Sequence, residues 1–150
     1  MTVRRIMGVE TEYGISVPGH PTANPMLLSG AVVTAYAQVH GLRTGRGRWD
    51  YADEAPLRDA RGFEMSRMMA DPSQLTDEDP TMANVVLTNG ARLYVDHAHP
   101  EYSSPEVTSP RAAVTWDRAG EVLGAQIVDL LAQDPGVLAI NLYKNNTDGK

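Results

Sequence analysis

Hydrophobic and polar positions alternate most regularly over residues 84–96, NVVLTNGARLYVD. A period of two is typical of a strand with two different faces. Asn89-Gly90 between two such runs predicts a β-hairpin with a type I′ turn. The second strand has an apolar face, and its other face carries three polar side chains: Arg92, Tyr94 and Asp96.

The same alternation marks other strands. Residues 4–13 predict a first strand, in which Glu10 and Glu12 share one face. A solvated outer face and a functional face explain these two glutamates equally well. After the hairpin, Pro100 is expected to interrupt the chain, and residues 101–108 to resume as another strand.

Helical spacing predicts two helices, over about 25–40 and 110–133. Asn24 and Ser109 are good N-cap residues, and each is followed by a proline, which is tolerated in the first turn. Gly41 is a suitable residue just after the end of the first helix.

The order of elements defines the fold class. Residues 137–144 predict a last strand, so the order is strand, helix, loop, hairpin, helix, strand. We expect an α+β fold with a largely antiparallel β-sheet and helices packed on one face. Gly120 and Gly124, one turn apart, would allow the second helix to pack closely against the sheet.

Residues 41–80 differ from the rest of the chain, because they hold fifteen charged residues and no Val or Ile. Such a segment buries too little apolar area to offset its ordering entropy. We interpret it as a mobile charged insertion loop with a short helix around 63–69. The alternative is a linker between two domains.

Overall composition limits the function classes. A net charge of −6 argues against a nucleic-acid partner, and the absence of cysteine excludes thiol chemistry. No stretch is apolar enough for a signal peptide or a membrane helix, so we expect a cytoplasmic protein with no membrane association. The ending AINLYKNNTDGK runs from an apolar strand pattern into turn residues, which indicates a fragment of something longer.

The polar strand faces suggest a metal site. If they converge, several carboxylates lie close together, among them Glu10, Glu12, Asp96 and Glu101. Such groups repel one another unless a cation lies between them, and an oxygen-rich site without cysteine suits Mg²⁺ or Mn²⁺. Arg92 beside this site would contact a nucleotide phosphate. Structural interpretations stay open, with Asp96 as a turn cap and Tyr94 as a core aromatic.

Four segments, RRIMGVETEYGI, NGARLYVDHAHPEYSSPE, WDRAGE and LYKNNTD, resemble the N-terminal part of the Pup ligase and Pup deamidase family. Pup is the small protein modifier that actinobacteria attach to lysines of proteasome substrates. The family belongs to the carboxylate–amine ligase superfamily. The resemblance therefore implies that residues 1–150 are the N-terminal portion of a larger catalytic domain. It also implies a glutamine-synthetase-like cradle, incomplete in this chain without the C-terminal remainder of the enzyme.

The resemblance also implies roles for individual residues. Glu10, Tyr94 and Glu101 match positions that hold Mg²⁺ in the family, and Asp96 matches the catalytic carboxylate. Asp96 is then either the nucleophile or the group that activates water, and the nucleophile is favoured because a carboxylate beside Mg²⁺ is a weak base.

Arg92 and Ser104 match positions that bind ATP in the family. Ser104 conflicts with strand alternation, because Glu101 and Ser104 face opposite ways on a regular strand. Either a bulge after Pro100 reconciles them, or one assignment is wrong.

Two features resemble the deamidase branch of the family: the short DHAHPE link and the insertion at 41–80. This branch converts the C-terminal Gln of Pup to Glu and cleaves the isopeptide bond between Pup and lysines of pupylated proteins, with Mg²⁺ and ATP as cofactors. Two alternatives stay open: a Pup–protein ligase, and a non-catalytic fragment that binds nucleotide or a partner.

Overall fold

The computed structural model describes residues 5–46, 66, 68, 83–96, 98–134 and 139–144. In chain order its elements are β1 (Glu10–Glu12), β2 (Gly14–Ser16), α1 (Pro25–Val39), β3 (Gly45–Arg46), β4 (Ala83–Val86), β5 (Arg92–Asp96), β6 (His99–Ser103), α2 (Pro110–Leu131) and β7 (Asn141–Tyr143). One sheet has the order β1-β6-β5-β4-β3, and β2 pairs with β7 in a second sheet. All pairs of neighbouring strands are antiparallel, which confirms the predicted α+β class.

The predicted hairpin is β4–β5, but its turn differs from the expected type. A type I′ turn needs positive φ at both central residues. Gly90 has a φ of 85°, whereas Asn89 is not among the described residues with positive φ. The amide of Leu87 donates to the carbonyl of Ala91 at 2.8 Å, which encloses a three-residue loop. The Asn89 side chain accepts from the Ala91 amide at 2.9 Å and stabilises this longer turn.

Pro100 does not interrupt the chain but lies inside β6, so that prediction was wrong. Asp96 is opposite His99, and Val95 is opposite Pro100. The Pro100 carbonyl accepts from the Tyr13 amide at 2.9 Å, on the side of β6 away from β5. A strand residue directs its N–H and C=O to the same edge, so the missing donor faces the end of β1 and the β5–β6 ladder stays intact.

The predicted first strand is divided into separate pieces. Met7 forms an isolated bridge with Val107, β1 pairs with β6, and β2 pairs with β7. The chain leaves the large sheet at Tyr13, between β1 and β2. The predicted last strand is shorter, and its partner is β2 rather than a strand of the large sheet.

Both helices begin where the sequence predicts. The Asn24 side chain accepts from the Met26 amide at 2.9 Å, and Ser109 accepts from the Ala112 amide at 3.3 Å. The chain turns away from α1 at Gly41, which has a φ of 61°. Both helices contribute to a core that includes one face of the large sheet, with Val85, Leu93, Val95 and Tyr102 among the buried residues.

The predicted close approach of α2 to the sheet occurs at Gly120. A Cβ atom there would lie 2.7 Å from Cδ1 of Tyr102, too close for any side chain. Neither α1 nor α2, the helices in the described residues, has the length and hydropathy of a membrane-spanning segment.

Most of the segment 41–80 lies outside the described residues. Its start is part of the sheet, because Gly45 is opposite Asn84 in the β3–β4 pair. The insertion loop and the helix at 63–69 stay predictions.

Candidate active site on the polar face of the sheet

One face of the large sheet is apolar and covered by helices, and the other carries the polar side chains predicted from alternation. A first row across this polar face follows from the strand register. Tyr94 of β5 is opposite Glu101 of β6, which is opposite Glu12 of β1. Side chains opposite one another on antiparallel strands lie on the same face. The register therefore places two carboxylates and a phenol side by side.

A second row lies two residues along the strands. Arg92 is opposite Ser103, which is opposite Glu10. The Ser103 hydroxyl donates to Oε1 of Glu10 at 2.9 Å and lies 3.3 Å from the hydroxyl of Tyr94. Ser103 therefore joins the two rows.

Glu101 is the most deeply buried carboxylate of this face. Its side chain and that of Tyr94 are only 5% and 4% exposed. The Tyr94 hydroxyl donates to Oε1 of Glu101 at 2.5 Å. A hydrogen bond to a carboxylate is stronger than one between neutral groups, and this one fixes the orientation of Glu101.

Glu12, Asp96 and Glu101 form the tightest acidic cluster among the described residues. One carboxylate oxygen from each lies within 4.8 Å of the others. They line an open cavity of about 470 Å³ together with Glu10, Thr11 and Lys144. The cavity leaves room above the cluster for a ligand.

Bringing these carboxylates together has an electrostatic cost, which appears as a raised pKa of Glu101. Burial raises the pKa of Glu101 to about 7, and repulsion from Asp96 and Glu10 adds to this, while the Tyr94 hydrogen bond opposes it. Burial also raises the pKa of Tyr94, as does its bond to Glu101, so Tyr94 stays a protonated donor. A cation among these oxygens would relieve the repulsion.

The donor set fits a hard divalent cation. Carboxylate oxygens at this spacing are the ligands that Mg²⁺ and Mn²⁺ prefer, and the described residues near the cluster offer no sulfur ligand. Glu10, Tyr94 and Glu101, the predicted metal residues, are all on this face. The resemblance assigns no role to Glu12, yet one of its carboxylate oxygens lies within 4.8 Å of oxygens of Asp96 and Glu101.

Arg92 is held at the end of the second row by two contacts. Its Nε donates to Oδ1 of Asn84 at 3.0 Å, and its guanidinium carbon lies 4.4 Å from the ring centroid of Tyr94. Within the described part of the chain, no carboxylate forms an ion pair with it. The terminal nitrogens are therefore available for an anion, as a phosphate-binding arginine requires.

Ser104 is not brought into this site. β6 runs regularly from His99 to Ser103 without a bulge, and Ser104 follows its end. Its hydroxyl accepts from the Val9 amide at 2.9 Å and donates to the Pro105 carbonyl at 3.3 Å. The hydroxyl that shares the face with Glu101 belongs to Ser103, so nucleotide binding by Ser104 stays a prediction.

Two residues of the site were missed at the sequence level: Ser103 and Asn84. Strand parity could have found Ser103, because it alternates with Glu101. Asn84 needed the register of β4 against β5, because it is opposite Tyr94.

Known proteins resemble this chain in sequence and in fold. The family model described as "Pup-ligase protein" matches residues 5–150. The chain is 62% identical over 148 residues to a depupylase of Acidothermus cellulolyticus, covering 99% of this chain and 29% of the relative. It is 54% identical over 149 residues to a Pup deamidase/depupylase of Mycolicibacterium smegmatis, covering 99% of this chain and 30% of the relative. A Pup–protein ligase of Nocardia farcinica is 34% identical over 150 residues, with 97% and 25% covered.

A solved structure shares the fold. The ligase PafA, in its complex with the prokaryotic ubiquitin-like protein Pup, matches with a TM-score of 0.59 and 21% sequence identity. The match covers 97% of this chain and 23% of that one. The chain spans about 29% of the length of the first relative it matches. From its sequence and its fold, the chain belongs to the Pup-ligase family.

Proposed function

We propose that the protein to which this chain belongs is a Mg²⁺- and ATP-dependent amidohydrolase, a Pup deamidase and depupylase. The observation that carries the proposal is the position of Asp96 beside Glu12 and Glu101 in an open cavity, on the same face as Arg92. The names of the relatives support this branch, because the deamidase/depupylase relatives are 54% and 62% identical and the ligase relative 34%.

Both reactions hydrolyse a side-chain amide. In deamidation, the C-terminal Gln of Pup gains the oxygen of water and releases ammonia. In depupylation, the bond that breaks joins Pup to the side-chain nitrogen of a substrate lysine, so the leaving group is the lysine amine. One site serves both reactions, because the carbonyl under attack is the same.

Asp96 is the proposed catalytic residue. As a nucleophile, its carboxylate oxygen forms a bond to the amide carbon, the C–N bond breaks, and the nitrogen takes up a proton from solvent and leaves as ammonia or as the lysine amine. Water then hydrolyses the resulting anhydride and restores the Asp96 carboxylate. In the alternative, Asp96 accepts a proton from the attacking water. Both routes need the substrate carbonyl in the cavity above Asp96.

Residues of both rows hold the proposed cation. Mg²⁺ bound by Glu10, Tyr94 and Glu101, with Glu12 near enough to join them, would supply positive charge to the carbonyl oxygen or to a nucleotide phosphate. The deep burial of Glu101 and its short bond from Tyr94 orient this ligand before the cation binds.

Arg92 is the proposed phosphate ligand. Asn84 and the ring of Tyr94 hold its guanidinium in place. Its two terminal nitrogens form a planar fork that suits phosphate oxygens. The family resemblance implies that ATP is a bound cofactor and is not consumed in each turnover.

The test uses the full-length protein with Mg-ATP, Pup ending in Gln, and a lysine-bearing acceptor protein. Intact mass spectrometry of Pup is the readout. The proposal predicts conversion of the terminal Gln to Glu, and no conversion when EDTA removes the cation. A second sample contains a Pup–protein conjugate, from which the proposal predicts release of Pup and the unmodified acceptor.

Other outcomes separate the alternatives. Unchanged Pup-Gln together with joining of Pup-Glu to the acceptor would identify a ligase and contradict the proposal. No change in either form of Pup, with Mg-ATP binding retained in a calorimetric titration, would identify a non-catalytic nucleotide-binding protein.

A further inference from the structure

Two segments that match the family have no role in the proposed chemistry. They are residues 116–121, WDRAGE, on α2 and residues 142–144, LYK, at the end of β7. The structure brings them together beside the first strand of the site, where Lys144 also lines the site cavity. Charged side chains meet in this contact, and ordering such side chains costs conformational entropy.

Lys144 is the centre of this contact. Its ammonium donates to Oδ2 of Asp117 at 2.5 Å and to Oε1 of Glu121 at 2.7 Å. The other oxygen of Asp117 accepts from the hydroxyl of Thr11 at 3.1 Å. The bonds thus form a chain from β7 through α2 to β1.

Thr11 lies between Glu10 and Glu12 in sequence and on the opposite face of β1. It is 9% exposed, and its bond to Asp117 fixes the strand from behind. β1 has only three residues, and among the described residues it pairs with one strand, β6, at the edge of the sheet. A small rotation of this short edge strand would move both carboxylates relative to Glu101.

Asp117 accepts the hydrogen bond from Thr11 most strongly when it is ionised, and its surroundings favour the ionised form. The Lys144 ammonium holds the pKa of Asp117 below its usual range, and the Thr11 hydroxyl adds to this effect against some burial. Asp117 therefore stays an ionised acceptor for Thr11. Arg118 also pairs with Glu121, but its side chain is 72% exposed and has no bond to β1.

We propose that Asp117 and Lys144 form a positioning pair that holds β1 through Thr11 and sets the spacing of Glu10 and Glu12 relative to Glu101. Neither residue binds the cation in this account. The pair determines how tightly a divalent cation binds, because the carboxylates are preorganised only while β1 is fixed. This inference rests on the proposed function, which supplies the cation site.

Cation affinity tests the pair without relying on turnover. Mg²⁺ and Mn²⁺ are titrated by calorimetry into the full-length protein without nucleotide. Lys144→Gln is expected to weaken cation binding about 10-fold, the lower end of the effect of residues that orient metal ligands. The control Arg118→Gln removes the other cation from Glu121 and is expected to leave the affinity within about 2-fold, as for an exposed ion pair.

A second pair of variants acts on β1 itself. Thr11→Val keeps the shape of the side chain but removes its hydroxyl, whereas Thr11→Ser keeps the hydroxyl. Thr11→Val should weaken cation binding as Lys144→Gln does, and Thr11→Ser should restore it. The double variant Thr11→Val/Lys144→Gln should be no weaker than either single variant, because both interrupt the same chain of bonds. If Lys144→Gln does not fold, the variants Thr11→Val and Thr11→Ser still test the proposal.

The possible failures are distinct. Wild-type affinity in Lys144→Gln and Thr11→Val would overturn the positioning pair and leave the proposed function intact. Equal losses in Arg118→Gln and Lys144→Gln would also overturn it, since only surface charge would then matter. A wild-type protein that binds neither Mg²⁺ nor Mn²⁺ would contradict the cation site, and with it the proposed function.

Discussion

Tyr94 and Tyr102 are both almost completely buried, at 4% and 1% exposure, yet they lie on opposite faces of the same sheet. The Tyr102 ring packs against Gly120, and its hydroxyl is 3.5 Å from the side-chain nitrogen of Asn89. The Tyr94 ring lies beneath Arg92, and its hydroxyl donates to Glu101. Burial alone therefore does not distinguish a tyrosine of the core from one of the candidate site, whereas the chemistry of the neighbouring groups does.

The same contrast holds for the two faces as a whole. The apolar face packs with α1 and α2 in a close-packed core, which supplies the stability of the sheet. The polar face holds carboxylates that repel one another, at an electrostatic cost that the raised pKa of Glu101 reports. One face thus stabilises an arrangement that the other face would not form by itself.

The largest effect is expected on the apolar face. Tyr102→Ala in the full-length protein should lower the free energy of unfolding by about 3–5 kcal/mol, since a large buried aromatic is lost. Urea denaturation measures this, with Tyr143→Ala as the control, because Tyr143 is 49% exposed. Tyr94→Phe should instead lower cation affinity with a stability change of about 1 kcal/mol. Equal stability losses in Tyr94→Phe and Tyr102→Ala would contradict the contrast.

The next effect is a pH dependence from the polar face. Glu101 has a pKa of about 7 in the folded protein and an ordinary value of 4.5, so the folded state binds more protons between these values. The free energy of unfolding should fall as pH rises through this window, on the order of 3 kcal/mol in EDTA. Glu101→Gln should remove this fall.

Two controls sharpen the pH experiment. Glu106→Gln changes an exposed residue and should keep the wild-type profile. Added Mg²⁺ should flatten the wild-type profile, because a bound cation favours the charged form of Glu101. If the free energy of unfolding of Glu101→Gln in EDTA depended on pH as that of the wild type does, groups other than Glu101 would be responsible for the pH dependence.

A smaller effect is expected where α2 approaches the sheet. Gly120→Ala places a methyl group 2.7 Å from the Tyr102 ring and should cost about 1–3 kcal/mol of stability. Gly124→Ala is the matched control one turn later, where the added Cβ would lie 3.6 Å from Leu142. It should be neutral or stabilising by up to about 1 kcal/mol, since Ala favours helix. Similar results for both variants would argue against a special contact at Gly120.

The smallest effect concerns the bond that holds Arg92. Asn84→Ala should raise the ATP concentration that gives half-maximal activity, the apparent KM, about 10-fold with little change in kcat, because a hydrogen bond to a charged group is lost outside the reacting centre. Asn141→Ala, on the exposed strand β7, is the control. An unchanged KM in Asn84→Ala would mean that Arg92 needs no support from Asn84.

Local signals predicted the parts of the fold that depend on neighbours in sequence. The caps at Asn24 and Ser109, the β4–β5 hairpin and the glycine contact at Gly120 follow from short patterns. The pairing of strands that are distant in sequence does not follow from such patterns. β2 pairs with β7 across more than 120 residues, and nothing in either strand specifies that partner. Pro100 is tolerated in β6 because β1 ends beside it, which is also a property of the assembled sheet.

The candidate site shows the same limit. Alternation placed Arg92, Tyr94 and Asp96 on one face, and the structure agrees. It could not tell that Glu12 rather than Glu10 lies nearest to Asp96, because that distance depends on the register of β1 against β6. A motif match placed Ser104 in the site, whereas the strand geometry places Ser103 there.

The central claim is that Asp96 on the polar face is the catalytic carboxylate, with a role distinct from that of the residues that hold the nucleotide and the cation. Asp96→Asn in the full-length protein tests it, with Asp129→Asn on the exposed side of α2 as the control. The measurement pairs deamidation of Pup-Gln by intact mass with calorimetric binding of Mg-ATP. The account predicts that Asp96→Asn loses at least about 10³-fold in rate and still binds Mg-ATP within about 3-fold of wild type. Turnover by Asp96→Asn at the rate of Asp129→Asn would contradict it.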